Sequence, residues 1–219
     1  MSARYAVYWA PETGHALWRA GCAWLGRDAE GRAGGSPAAG RAAPWLYGFH
    51  ATLKPPMHLA DGVEADALHA ALATLANEVA PFALPALKVQ TLSDFVALRL
   101  PQTPPALQSL ADRCVVQLDG FRRPADDTEL ARRRDGLDDE QRGLLMRWGY
   151  PHVLHRWRFH MTLSDALAEP ADQARIQREA EAWFAPALAA PVGVESIALF
   201  EQATAGAPLE CVARFALKG

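Results

Sequence analysis

The spacing of apolar and polar residues predicts a mixed succession of strands and helices. Tyr5–Ala10 is a short apolar and aromatic run closed by Pro11 and Gly14, the pattern of a strand entering a turn. Helical spacing follows at Ala16, Leu17, Ala20 and Trp24. Residues 26–45 keep neither period and are rich in Gly, Ala and Arg, which predicts a loop over a cleft or a flexible insertion. Strand-like composition returns over Tyr47–Thr52, and Pro55-Pro56 should end it, since proline removes a ladder donor.

Further on, Val63–Ala80 sets Ala67, Leu68, Leu72, Leu75 and Ala76 at helical spacing, with acids in its first turn. Phe82–Thr91 and Phe95–Leu100 read as strands joined at Ser93-Asp94, and Pro104–Leu118 as a helix. Residues 119–137 form a charged connection. It carries Arg122, Arg123 and Arg132-Arg133-Arg134 among many acids, so a salt-bridged, solvated surface outweighs an anion site. Asp138 and Gln141 have the spacing of a capping box for a helix ending at Gly149-Tyr150-Pro151. Arg156–Leu163 reads as a strand, Asp172–Phe184 as a helix, and Gly193–Gln202 and Leu209–Leu217 as two final strands.

The order from residue 47 is strand, helix, strand, strand, and it recurs from residue 156. Both copies open on one motif, Phe49-His50-Ala51-Thr52-Leu53 and Phe159-His160-Met161-Thr162-Leu163. Their separation is too long for a solenoid repeat. The expectation is an α+β chain whose residues 1–219 form one bilobal domain with pseudo-twofold symmetry. Its duplicated units lie at about 47–101 and 156–218, with two antiparallel sheets facing a central cleft and helices outside.

The repeated motif carries chemistry because strand residues i and i+2 share a face. His50 and Thr52 therefore point one way while Phe49, Ala51 and Leu53 anchor the strand; His160 and Thr162 do the same. Opening a cyclic phosphodiester needs a base on the attacking water and an acid on the leaving oxygen, placed on opposite sides of phosphorus. Imidazole suits both tasks, with an ordinary pKa near 6.5. The threonine hydroxyls can donate to the non-bridging phosphate oxygens. Lys54 shares the face of His50 and Thr52 if the strand persists that far. Arg158 shares that of His160, and Tyr8 and Tyr47 could line the cleft.

Composition narrows the partners. The chain has 219 residues, half of them apolar, and a formal net charge of −3, which disfavours long nucleic acid and favours a small phosphorylated substrate. Cys22, Cys114 and Cys211 are too scattered for a disulfide framework or zinc knuckle. His58, His152 and His155 match no metal-ligand spacing, so neither metal nor cofactor is expected. The N-terminus shows no cationic head before an apolar stretch, and no segment reaches about 18 uninterrupted apolar residues, so a cytoplasmic protein without a membrane partner is expected. Nothing in the sequence indicates the oligomeric state.

The doubled His-x-Thr-Leu resembles the 2H phosphoesterase superfamily. Arg4-Tyr5-Ala6-Val7-Tyr8, Tyr47 through Pro56, and Glu129-Leu130-Ala131-Arg132-Arg133 running on to Trp148-Gly149-Tyr150-Pro151 and the second motif are similar to its DUF1045 subgroup, which is associated with bacterial phosphonate utilisation. The resemblance implies a bilobal fold, metal-free catalysis by His50 and His160, and phosphate binding by Thr52 and Thr162. The phosphonate association suggests a cyclic ribose phosphate such as 5-phosphoribosyl 1,2-cyclic phosphate. Two rivals stand beside hydrolysis of a small cyclic ester: an RNA-end cyclic phosphodiesterase or 2′,5′-ligase-like enzyme, and a non-catalytic nucleotide or sugar-phosphate binder. A basic groove leading away from the histidines would favour the RNA-end reading.

Overall fold

The computed structural model describes residues 3–31 and 35–219. Residues 1–2 at the N-terminus and 32–34, inside the expected 26–45 loop, lie outside the description. The elements run β1 (Arg4–Trp9), α1 (Ala16–Leu25), α2 (Ala42–Tyr47), β2 (Ala51–Met57), α3 (Ala65–Asn77), β3 (Phe82–Ala83), β4 (Lys88–Leu92) and β5 (Phe95–Arg99). They continue with α4 (Pro105–Gln117), α5 (Asp127–Arg133), α6 (Asp139–Trp148), β6 (His160–Thr162), α7 (Pro170–Leu188), β7 (Gly193–Val194), β8 (Ser196–Gln202) and β9 (Glu210–Ala216).

Two antiparallel sheets dominate the architecture: four strands in the order β2-β1-β8-β9, and three in the order β4-β5-β6. A two-stranded ribbon, β3 with β7, joins Phe82 to Val194 and Ala83 to Gly193. This ribbon splits the long strands expected over 82–91 and 193–202, the first of them at Pro85, which has no N–H to donate. The sequence copies do not coincide with the sheets. The first motif strand, β2, shares its sheet with β8 and β9 of the second copy, and the second motif strand, β6, pairs with β5 of the first.

Three expectations near the motifs need correction. Residues 42–47 form a helix where loop and strand were expected. The strand after it starts at Ala51, just past His50, and runs through Pro55-Pro56 to Met57. It tolerates both prolines because β2 is an edge strand and they sit in an irregular stretch between the pairs Val7–Lys54 and Tyr5–Met57. Of the strand expected over Arg156–Leu163 only His160–Thr162 forms a strand, with the Leu163 N–H still bonded to the Val96 carbonyl; Leu154–Arg156 is a single 3-10 turn. The expected capping box on α6 is present, with Asp138 and Gln141 satisfying each other's backbone N–H groups.

Helix α3 packs on β8 and β9, α4 on β2, and α7 on β4 and β5, with α1 against α7. One continuous apolar core joins the layers through Trp9, Phe49, Phe159, Leu163, Phe184 and Phe200. A smaller cluster of Val115, Leu144 and Val153 seats α6. Glycine is required at Gly21 in α1. A β-carbon there would stand 2.2 Å from the Phe49 ring, which lies against the helix backbone and stacks on Phe184 with centroids 5.9 Å apart.

Candidate active site

The two motifs are built alike. Helix α2 ends at Gly48, whose φ of 79° and ψ of 177° belong to a region essentially reserved for glycine. A β-carbon there would also press on the Ala29 methyl at 2.9 Å. The buried Arg27 holds this turn, donating to the Trp45 and Leu46 carbonyls at 2.8 and 3.2 Å. The turn brings the Gly48 carbonyl to 2.9 Å from Nδ1 of His50, and the Arg158 carbonyl lies 2.8 Å from Nδ1 of His160. A carbonyl only accepts, so each neutral ring carries its proton on Nδ1 and presents a bare Nε2. The Thr52 hydroxyl meets the His50 Nε2 at 3.2 Å.

Aromatic rings fix the histidines. Tyr8 stacks on His50 with centroids 3.7 Å apart and planes 22° apart, and Phe95 lies 5.7 Å from His160. Strands β2 and β6 touch, and the Trp157 indole ties them by donating to the Thr52 carbonyl at 2.8 Å. Thr52 and His160 line one cavity of about 400 Å³ with Phe95, Tyr150, His152 and Arg158. One residue of each motif, Thr52 and His160, thus faces this cleft, whereas His50 and Thr162 are not among the residues lining it; His160 is still close enough that its charge opposes protonation of His50.

Burial pushes the His50 pKa down to about 4. The hydrogen bond to Gly48 works against this shift, and His160 adds to it. Burial also lowers His160, helped by the charges of Arg99 and His152. Both rings are therefore neutral at pH 7 in the free protein. Because the folded value lies below the unfolded one, the contribution of His50 to stability is present above about pH 6.5 and is lost as pH falls towards 4. An anion between the rings has the opposite effect and favours the protonated forms. Sulfate, which stays dianionic throughout, should therefore bind more tightly as pH drops from 8 to 5.5, with proton uptake detectable by calorimetry in two buffers. Affinity that does not change with pH would disprove this coupling.

Thr162 lies opposite Ala97 on β5 and shares a face with His160 by alternation. Arg158 lines the cleft, is exposed and makes no ion pair among the described residues. Tyr47 sits 6.3 Å from the His50 ring. Lys54 is placed otherwise than expected. It is 2% exposed and its ammonium donates to the Val115 carbonyl at 3.0 Å, with Asp119 at 3.5 Å. The register slips between the pairs Tyr8–Thr52 and Val7–Lys54, and a slip of one residue turns a side chain to the other face. Burial first, partly offset by Asp119, lowers the Lys54 pKa to about 8.

His155 pairs with Glu140 at 2.8 Å, and the His152 ring meets Tyr150 edge-on. Among the described residues no group of three or more His, Cys, Asp or Glu is placed to hold a metal ion. Sequence reasoning missed Trp157, Phe95 and Tyr150 as cleft residues. It also missed Arg99, which lies directly opposite His160 with its Nε buried and unpartnered. No local signal marks these residues, because their proximity depends on which strands pair.

The chain and E. coli LigT complexed with 3′-AMP align over all of both chains, with a TM-score of 0.50 and 17% identity. The two antiparallel sheets thus share the fold of LigT. The family model described as "Protein of unknown function (DUF1045)" matches residues 52–210, and the chain belongs to that family. Two curated relatives, each named ribose 1,5-bisphosphate phosphokinase PhnN, come from Laribacter hongkongensis (strain HLHK9) and Janthinobacterium sp. (strain Marseille). They are 40% and 38% identical over 93% and 94% of this chain. Each match takes in 49% of the relative, so the chain spans about half the length of the curated relatives it matches. Among the described residues no helix is long and apolar enough to cross a membrane.

Proposed function

We propose that the chain is a phosphoesterase that opens a small cyclic phosphodiester by acid–base catalysis between His50 and His160. One observation carries this reading. Each imidazole is anchored at Nδ1 by the carbonyl two residues before it and has a threonine two residues after it, Thr52 of one motif and His160 of the other line one cleft, and His160 lies within electrostatic reach of His50. One neutral Nε2 takes the proton of a water as it attacks phosphorus, and the other ring, protonated in the presence of the anionic substrate, gives its proton to the departing oxygen. One P–O bond forms and one breaks, leaving a phosphomonoester. Thr52 and Thr162 hold the non-bridging oxygens, and no metal or cofactor enters any step.

The phosphorylated ribose in the relatives' name supports a ribose cyclic phosphate, in phosphonate catabolism, as the substrate. The kinase activity in that name is said of proteins about twice as long as this chain. A second reading, action on RNA ends, draws on arginines 4, 122, 123 and 133 in cavities beside the cleft.

Phosphorus NMR on ribose 1,2-cyclic phosphate, nucleoside 2′,3′-cyclic phosphates, ADP-ribose cyclic esters and an RNA ending in a 2′,3′-cyclic phosphate separates these readings. A small cyclic ester should convert to a monoester at a rate that EDTA leaves unchanged. Turnover of none of the compounds would defeat the proposal. Loss in EDTA with recovery on adding metal would replace its mechanism.

A further inference from the structure

We propose that a second cavity beside the cleft binds a further phosphate of the substrate, so that the ligand is a compact cyclic phosphodiester bearing a second, terminal phosphate. The inference rests on the reading of His50 and His160 as the reacting centre. The cavity, of about 370 Å³, is lined by Arg4, Tyr47, Pro55, Arg133, Tyr150 and His152 among others, and no acidic side chain lines it. Pro55, Tyr150 and His152 also line the cleft that holds Thr52 and His160, so the two spaces adjoin along a common wall.

Strand alternation places Arg4. Pairing of β1 with β8 runs without irregularity from Arg4 to Tyr8, so Arg4, Ala6 and Tyr8 share a face. Tyr8 is the residue stacked on His50. Arg4 therefore rises from the same face as the His50 support, about 13 Å along the strand at roughly 3.3 Å per residue. The guanidinium, held at Gln202 directly across on β8, stays near its own strand position, so the ligand rather than the arginine covers most of this separation.

The arginine is oriented without being neutralised. Its Nε donates to the Gln202 side-chain oxygen at 2.7 Å, and a second guanidinium nitrogen donates to the same oxygen. Gln202 is 1% exposed and is itself fixed by a bond to the Ala207 carbonyl at 2.6 Å. A neutral amide therefore holds the fork in place, and Arg4 makes no ion pair among the described residues. Such a guanidinium keeps its full charge for a phosphate, which it can grip with two parallel bonds.

Arg133 reaches the cavity with one nitrogen on the Gly149 carbonyl at 3.2 Å and another on Glu129 at 2.7 Å, so it is partly compensated. The Tyr8 hydroxyl, on a side chain 1% exposed, makes no hydrogen bond among the described residues. It lies within electrostatic reach of Tyr47, Tyr150 and Arg4. Phenol donors thus gather beside His50, with an unpaired cation farther along the same strand face. The net charge of −3 argues against a long polyanion.

The test compares matched pairs: adenosine 2′,3′-cyclic phosphate with and without a 5′-phosphate, and ribose 1,2-cyclic phosphate with and without a 5-phosphate. Dissociation constants, by calorimetry on the compounds or their ring-opened products, are measured for the unaltered chain, Arg4→Gln, Arg133→Gln and Arg175→Gln, a control in α7. The second phosphate should tighten binding about 10–100-fold, the worth of one or two hydrogen bonds to a charged group. Arg4→Gln should erase most of that gain and leave the singly phosphorylated compounds unaffected, whereas Arg175→Gln should keep it. Should Arg4→Gln fail to fold, Arg133→Gln and Arg4→Lys read the same gain.

Equal affinity for the two members of each pair, or a gain that survives every Arg4 and Arg133 variant, overturns the subsite even if the chain hydrolyses cyclic esters. A gain lost in Arg4→Gln without any turnover keeps the subsite and sinks the hydrolase reading. Affinity that climbs with each added nucleotide of an oligonucleotide ending in a cyclic phosphate overturns the compact ligand in favour of an RNA end.

Discussion

Alanine at His50 or at His160 should each cut turnover of the cyclic ester about 10²–10⁴-fold, the contribution of a positioned acid or base. The fold should survive both changes, because neither ring is a core residue and each makes a single backbone hydrogen bond through Nδ1. His50→Ala also uncovers Tyr8, so its melting temperature should fall by a few degrees more than that of His160→Ala. The double variant should be scarcely slower than the worse single one, since a proton-transfer pair works as a unit. Circular dichroism establishes folding and phosphorus NMR reads the rate. Undiminished turnover in either single variant removes that histidine from the reaction.

The largest expected effect on stability comes from one methyl group. In Gly21→Ala the new β-carbon would collide with the Phe49 ring at 2.2 Å, so the ring must leave a pocket in which it is 1% exposed. Overpacking of this kind costs about 1–3 kcal/mol or more. For a chain of this size that corresponds to a drop in Tm of about 2–4 °C for each kcal/mol. Because Phe49 precedes His50, activity should fall as well. Adding Phe49→Leu, which shortens the displaced side chain, should restore part of the stability; a Gly21→Ala melt identical to that of the unaltered chain would contradict the packing.

Features that depend on near neighbours could be read from the sequence. Alternation places His50 with Thr52 and His160 with Thr162 whatever the strand pairs with, and the cap of α6 is written in Asp138 and Gln141. Features that depend on distant partners could not. Lys54 follows the same alternation on paper, yet a slip in register against β1 turns its ammonium towards α4. Helix α2 was hidden in a stretch rich in Gly, Ala and Arg. Its C-terminal turn is held by Arg27, which also bonds the Leu209 carbonyl far away in the chain. Arg99 and Trp157 matter for the strands they meet, and the sequence does not announce those meetings.

The strand exchange between the two copies bears on how the molecule is made. β1 has one neighbour, β2, close behind it in the chain, and its other neighbour, β8, comes only after residue 195. A nascent chain leaving the ribosome therefore carries β1 with one bare edge until residues Ser196–Gln202 have been made. Contacts between such distant segments slow folding, and an unpaired edge invites wrong partners. The chain grown as far as β2 but not yet to β8 is thus the form most exposed to aggregation, and β8 is the strand that seals it.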